Sequence, residues 1–104
     1  MTRIVSVYAV FADADEAQRI SRTAVEERLA ACANILGPVH SIYRWQGAVE
    51  EADEVAAIFK ARADKAGALK ARIAELHSYD VPAIAVWPVE SVWPAYAEWI
   101  EAEG

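Results

Sequence analysis

The sequence predicts an α+β domain: a four-stranded antiparallel sheet made of two split β-α-β halves, with one more helix at the C-terminus. Three observations carry this. The segment from Arg3 to Phe11 is apolar on both parities, as a central strand should be. An acidic start at Asp13-Ala14-Asp15-Glu16 leads into helically spaced apolar residues. A long alternating segment then runs out from Val39, turns at Gly47 and returns as far as Ala61.

The first strand offers Ile4, Tyr8 and Val10 on one parity, and Val5, Val7, Ala9 and Phe11 on the other. Asp13 suits the N-cap of the first helix, with Glu16 three residues on and both charges at the positive helix end. Ala17, Ile20, Ala24, Val25, Leu29 and Cys32 continue at helical spacing, which predicts a helix reaching Cys32. Arg28 falls inside that apolar arc, so its stem is expected along the core. A second strand begins over Ala33 to Ile35, and Gly37-Pro38 interrupts it as a bulge or bend. It resumes with Val39, Ser41, Tyr43 and Trp45 on one face and His40, Ile42, Arg44 and Gln46 on the other. Gly47 supplies the positive φ of a hairpin turn. The return arm is acidic at Glu50, Glu51, Asp53 and Glu54, then apolar through Val55, Ala57, Ile58 and Phe59. Asp64 is expected to cap a second helix carrying Ala66, Leu69, Ile73 and Leu76. Residues 77–82 read as a loop, Ala83 to Val89 as the last main strand, and Pro94 as the first turn of a terminal helix. The order is ferredoxin-like, and residues 1–104 form a single domain.

Bulk composition narrows the function classes. The apolar fraction of 56% with 25% charged residues fits a folded chain rather than a disordered one. A net charge of −6 disfavours nucleic acid or an anionic membrane as partner. No apolar stretch is long enough to span a bilayer, and no charged leader opens the chain, so a soluble cytoplasmic protein is expected. One cysteine excludes an internal disulfide and a thiol-rich metal motif. Four tryptophans in 104 residues exceed what so small a core buries, which points to a subunit interface or pocket.

The hairpin arms are longer than the other strands can pair. An overhanging two-stranded ribbon with Tyr43 and Trp45 on one face is marginal alone, and its edge invites association. Its acidic run reads best as a solvated arm, because a strand sends alternate carboxylates to opposite faces and keeps them from converging on a cation.

Several segments taken in order carry a family resemblance. They are Glu-Arg-Leu-Ala-Ala-Cys-Ala-Asn-Ile at 27–35, Ser-Ile-Tyr-Arg-Trp-Gln-Gly at 41–47, and Leu-His-Ser-Tyr-Asp-Val-Pro at 76–82. Trp87-Pro88-Val89 and Tyr96-Ala97-Glu98-Trp99-Ile100 follow. Together they resemble the CutA family of divalent-cation tolerance proteins. The resemblance implies a homotrimer of ferredoxin-like domains in which the hairpin packs on neighbouring protomers. It also implies no obligatory cofactor, while admitting a divalent cation such as copper. The family typically reads His-Pro-Tyr and then Val-Pro-Glu where this chain has His77-Ser78-Tyr79 and Val81-Pro82-Ala83. The matching positions are His77 and Tyr79; Ser78 and Ala83 depart, and the departure at Ala83 removes a carboxylate near the histidine.

His77 is the metal-ligand candidate, set at a helix end before a loop. One histidine holds a transition metal weakly, and in a trimer each subunit could add a further ligand. The competing assignment is a helix-ending histidine bonded to backbone carbonyls. His40 reads as an ordinary strand residue, and Cys32 as a small hydrophobe at a close helix–sheet contact. Tyr43, Arg44, Trp45, Lys60, Arg62 and Tyr79 form a ligand-binding set, aromatic rings beside cations. Lys60 and Arg62 share a strand face, and the resemblance puts such residues near an inter-subunit cleft with His77. The same rings and cations also suit plain interface packing and ion pairs. Phosphate loops, paired-histidine helices and nucleophile elbows are absent from the sequence, so binding and assembly are expected rather than catalysis. Two functions lead: divalent-metal tolerance, and a signalling or scaffold trimer of PII-like architecture that binds a small anionic metabolite; an undetected hydrolase or isomerase ranks well below both.

Overall fold

A computed structural model describes residues 3–104. Strand β1 (Ile4–Phe11) is followed by helix α1 (Ala14–Glu26), strands β2 (Cys32–Trp45) and β3 (Ala48–Arg62), helix α2 (Ala66–Leu76), strand β4 (Ile84–Pro88) and helix α3 (Pro94–Glu103). The strands form one sheet in the order β2-β3-β1-β4, and the pairs are antiparallel. This is the predicted order with the predicted extra helix.

Alternation along β1 divides the packing into two layers. Val5, Val7, Ala9 and Phe11 face α1 and α2, meeting Ala17, Ile20 and Ala24 of one helix and Leu69 and Ile73 of the other. Ile4, on the opposite parity, packs with Ala31 and with Ile100 of α3. A strand covered on both faces must be apolar on both parities, which accounts for its sequence. No described helix is long and apolar enough to cross a membrane.

Two expectations about helix ends need correction. Helix α1 stops at Glu26 rather than Cys32, because Arg28 takes a left-handed conformation at φ 60°. The turn is closed by Arg28 N–H to the Val25 carbonyl and Leu29 N–H to the Ala24 carbonyl. Arg28 is therefore exposed rather than laid along the core, and Lys65 Nζ donates to its carbonyl at 2.7 Å. Asp64 does not cap α2. It lies in a 3-10 turn over Ala63–Lys65, and its carboxylate takes both Nε and Nη2 of Arg62 at 3.0 and 2.8 Å. A two-toothed guanidinium partner next door outcompetes a single backbone N–H.

The bulge and the turn fall where the sequence places them. Register shifts between Ile35 and Gly37, with Gly37 at φ 102°. Gln46 and Gly47, at φ 49° and 84°, form a two-residue turn that matches strand twist. Pairing of β3 with β1 ends at Val55 opposite Phe11, whereas pairing with β2 continues to Ala48 opposite Trp45. Residues 48–54 and their β2 partners thus project about 20 Å beyond the sheet at ~3.3 Å per residue, which makes the chain 44 Å long against 25 and 22 Å across.

Left-handed backbone is costly for arginine. Arg28→Gly is expected to raise stability by about 1 kcal/mol, read as a higher denaturant midpoint with an unchanged slope.

Candidate functional site

The loop after α2 folds back over the end of β1, and local chemistry dictates how. Asp13 Oδ1 accepts the Glu16 N–H at 2.8 Å and caps α1, as the sequence predicts. The Glu16 side chain then does two things. Its Oε1 accepts the Ala12 N–H at 3.0 Å, and its Oε2 accepts the Ser78 N–H at 2.9 Å. One buried carboxylate therefore ties the helix start to the loop. Burial pushes its pKa up, but the Ala12 N–H first, then the Ser78 hydroxyl and N–H, outweigh burial and hold the carboxyl below its ordinary value. Proline at position 78 has no N–H to give, so the departure to Ser78 supplies a bond that the usual His-Pro-Tyr step lacks.

His77 is buried, with its ring stacked on Phe11 at 5.3 Å between centroids. Its Nδ1 accepts the Tyr79 N–H at 3.1 Å, which places the ring proton on Nε2, where it is donated to the Val10 carbonyl at 2.7 Å. Both ring nitrogens are engaged by backbone within the chain. The Glu16 carboxylate lies 4.0 Å from Nδ1, beyond hydrogen-bond reach. A cation binding at Nδ1 must displace the Tyr79 amide from it. Tyr79 turns outward, and its hydroxyl donates to Glu54 Oε2 on β3 at 2.8 Å. Burial first, and the Glu54 hydrogen bond second, push the hydroxyl up to about 12. Ala83 takes part through its backbone carbonyl, which accepts the Val10 N–H at 3.1 Å.

Strand β3 spaces the other candidates along its length. Tyr43 and Arg44 lie opposite Glu50 and Val49, and Trp45 lies opposite Ala48, at the ribbon tip. Tyr79 meets the strand at Glu54. Lys60 and Arg62 share a face, as predicted, and stand opposite Ser6 and Ile4 at the far end. Lys60 is about 20 Å from Glu54 at ~3.3 Å per residue. One chain therefore gathers Tyr79 with His77, their ring centroids 4.9 Å apart, but not Lys60 or Arg62; a pocket containing both groups needs a second chain. Arg62 is already taken by Asp64.

On the α3 side of the sheet, Cys32 Sγ lies 3.3 Å from Tyr96 Oη, and Tyr96 stacks with Trp99. Tyr8 stacks with Trp87. All four tryptophans are open on the single chain: Trp45 at 44%, Trp87 at 42%, Trp93 at 76% and Trp99 at 43% exposure.

Sequence reading missed one cluster. His40 on the ribbon contacts Asp53 through Nδ1 at 2.8 Å and Glu51 through Nε2 at 2.6 Å. The two-residue turn at Gln46-Gly47 fixes the register that sets His40 opposite Asp53, so the signal lay in the turn.

Comparison with known proteins places this architecture. A family profile, CutA1 divalent ion tolerance protein, matches residues 5–103. The chain belongs to the CutA1 divalent ion tolerance family. Among relatives, it is 44% identical over 100 residues to the divalent-cation tolerance protein CutA of Pyrococcus horikoshii, covering 96% of this chain and 97% of that protein. It is 42% identical over 84 residues to the Thermus thermophilus protein of the same name, covering 81% and 82%. Among solved structures, CutA from Xylella fastidiosa superposes with a TM-score of 0.95 at 34% identity, covering 98% of each chain. The periplasmic divalent cation tolerance protein CutA from Archaeoglobus fulgidus superposes at 0.93 with 33% identity, covering 96% and 97%. The overall fold is thus shared, while the Glu16–Ser78 bond needs a backbone N–H at position 78.

The lowered Glu16 pKa sets a pH dependence. A carboxyl depressed in the folded state stabilises above its unfolded value, about 4.3, and that contribution is lost as pH falls through the folded value. Glu16→Gln is expected to cost about 1–3 kcal/mol at neutral pH. Its acid unfolding should be shallower than that of the wild type, followed by circular dichroism.

Proposed function

We propose that this chain acts in divalent-cation tolerance as a homotrimer, by assembly and weak cation binding between subunits rather than by turnover. One observation carries the reading: the ribbon leaves its own sheet behind at Val55, and all four tryptophans stand open. Ile42, Tyr43, Trp45 and Val49 on that ribbon are likewise exposed. Exposed apolar and aromatic side chains on both faces of an unsupported ribbon favour contact with another chain, and aromatic residues are the usual interface anchors.

The cation follows from the family and from what one chain lacks. Among the described residues, no three His, Cys, Asp or Glu side chains converge on a point that could hold a metal. A copper-like cation bound by this protein therefore draws ligands from more than one subunit. His77 contributes through Nδ1 when the Tyr79 amide moves aside, which links cation binding to opening of the loop. The alternative, an anionic metabolite in a PII-like trimer, has less support because Asp64 already neutralises Arg62.

Sedimentation velocity is expected to give three times the 11.4 kDa chain mass. Replacing Tyr43 and Trp45 together by alanine should raise the dissociation constant by at least about a hundredfold, from two lost interface anchors. Copper calorimetry on the trimer is expected to show weak, saturable heat that His77→Gln abolishes while sedimentation stays unchanged. Heat retained in that variant would remove His77 from the ligand set.

A further inference from the structure

The cluster at His40 lies outside the loop site and is unused by the reading above. His40 sits on β2, the edge strand of the sheet, and Asp53 and Glu51 face it from β3, the strand beside it. The contacts are 2.8 Å to Asp53 and 2.6 Å to Glu51, one at each ring nitrogen. A neutral imidazole has a single N–H, so it donates to one carboxylate and turns a lone pair towards the other. Two carboxylates at hydrogen-bond distance from both nitrogens are satisfied together only by the imidazolium. A metal does not fit here, because the ring stands between the two carboxylates and points its nitrogens away from each other. The arrangement is shaped for a proton.

Other charges nearby fall into place around this pair. Arg44 lies farther along β2 on the same face as His40, while Glu50 and Glu54 point to the opposite face of the ribbon, where Tyr79 holds Glu54. All three members of the cluster lie beyond Val55, on the stretch that β1 does not support.

We infer that His40, Glu51 and Asp53 form a proton-operated clamp on the projecting ribbon, so that subunit cohesion weakens as pH rises and the imidazolium is lost. The inference deepens the proposed function and rests on the trimer. Hydrogen bonds to Asp53 first and Glu51 second raise the His40 pKa above its ordinary value. The sign follows directly. A histidine raised in the folded state contributes fully below about 6.5 and loses that contribution as pH climbs through the folded value. On deprotonation each ribbon gains one net negative charge and frees one carboxylate. Assembly brings three such ribbons together, so the repulsion acts on cohesion.

The test has two parts on the full chain. Imidazole nitrogen shifts, followed by NMR, are expected to place the His40 titration above the ordinary histidine value. The double variant Glu51→Gln, Asp53→Asn should return it to that value. Sedimentation is expected to show the wild-type trimer dissociation constant rising about tenfold between about pH 6 and about pH 9, with His40→Gln changing less than about threefold. An ordinary His40 titration overturns the clamp, and so does a variant that keeps the wild-type pH dependence. A protein that is monomeric at both pH values, with His40 still titrating high, overturns the trimer reading and with it the link to cohesion. In that result the two failures are separable, because the NMR titration does not depend on assembly.

Discussion

The loss of β1 support beyond Val55 is the constraint on which the rest of this molecule depends. Up to that residue, β3 has a hydrogen-bonded neighbour on each side and a layer of helices over its core face. Past it, the strand has only β2, and the side chains alternate between two open faces. A two-stranded ribbon of this length does not hold itself against solvent. Its aromatic tip, its acidic return arm and its paired histidine all bear on the same problem. In the proposed trimer the rings offer area to another chain, while the carboxylates resist uncontrolled edge pairing and the His40 pairing ties the two arms together.

At that same end, the loop beside the ribbon is closed by a different means. Glu16, Ser78, His77 and Val10 hold the loop after α2 against the end of β1 through backbone groups. A loop fixed this way presents Tyr79 to Glu54 at the base of the ribbon. Core and ribbon therefore meet through the buried apolar pair Phe11 and Val55 and through the Tyr79–Glu54 hydrogen bond beside it. Lys60 and Arg62 lie well away from that junction, at the far end of the β1–β3 pairing.

Much of this was legible in the sequence, for identifiable reasons. Strand β1 showed itself because covering on both faces demands apolar residues at both parities. Gly37 and Gly47 marked the bulge and the turn because each needs positive φ. The end of α1 was not legible, since Arg28 carries no compositional hint of a left-handed conformation and Leu29 and Cys32 continue the apolar rhythm by chance. Asp64 looked like a cap because capping is a local rule, and the competing partner, Arg62, is local too; their relative strength decided the outcome. The engaged state of His77 was hidden because its partners, the Val10 carbonyl and the Tyr79 amide, are backbone groups that side-chain patterns do not reveal. Tyr43, Trp45, Lys60 and Tyr79 were recognisable as chemically able residues, but which of them share a pocket depends on contacts outside one chain.

Amide hydrogen exchange in residues 39–54, measured over a dilution series, tests most directly whether another chain covers the ribbon. Burial by a neighbour predicts protection close to that of the β1 core at high concentration, falling steeply as the protein is diluted. Rapid exchange at every concentration, or protection that does not change on dilution, would contradict the account.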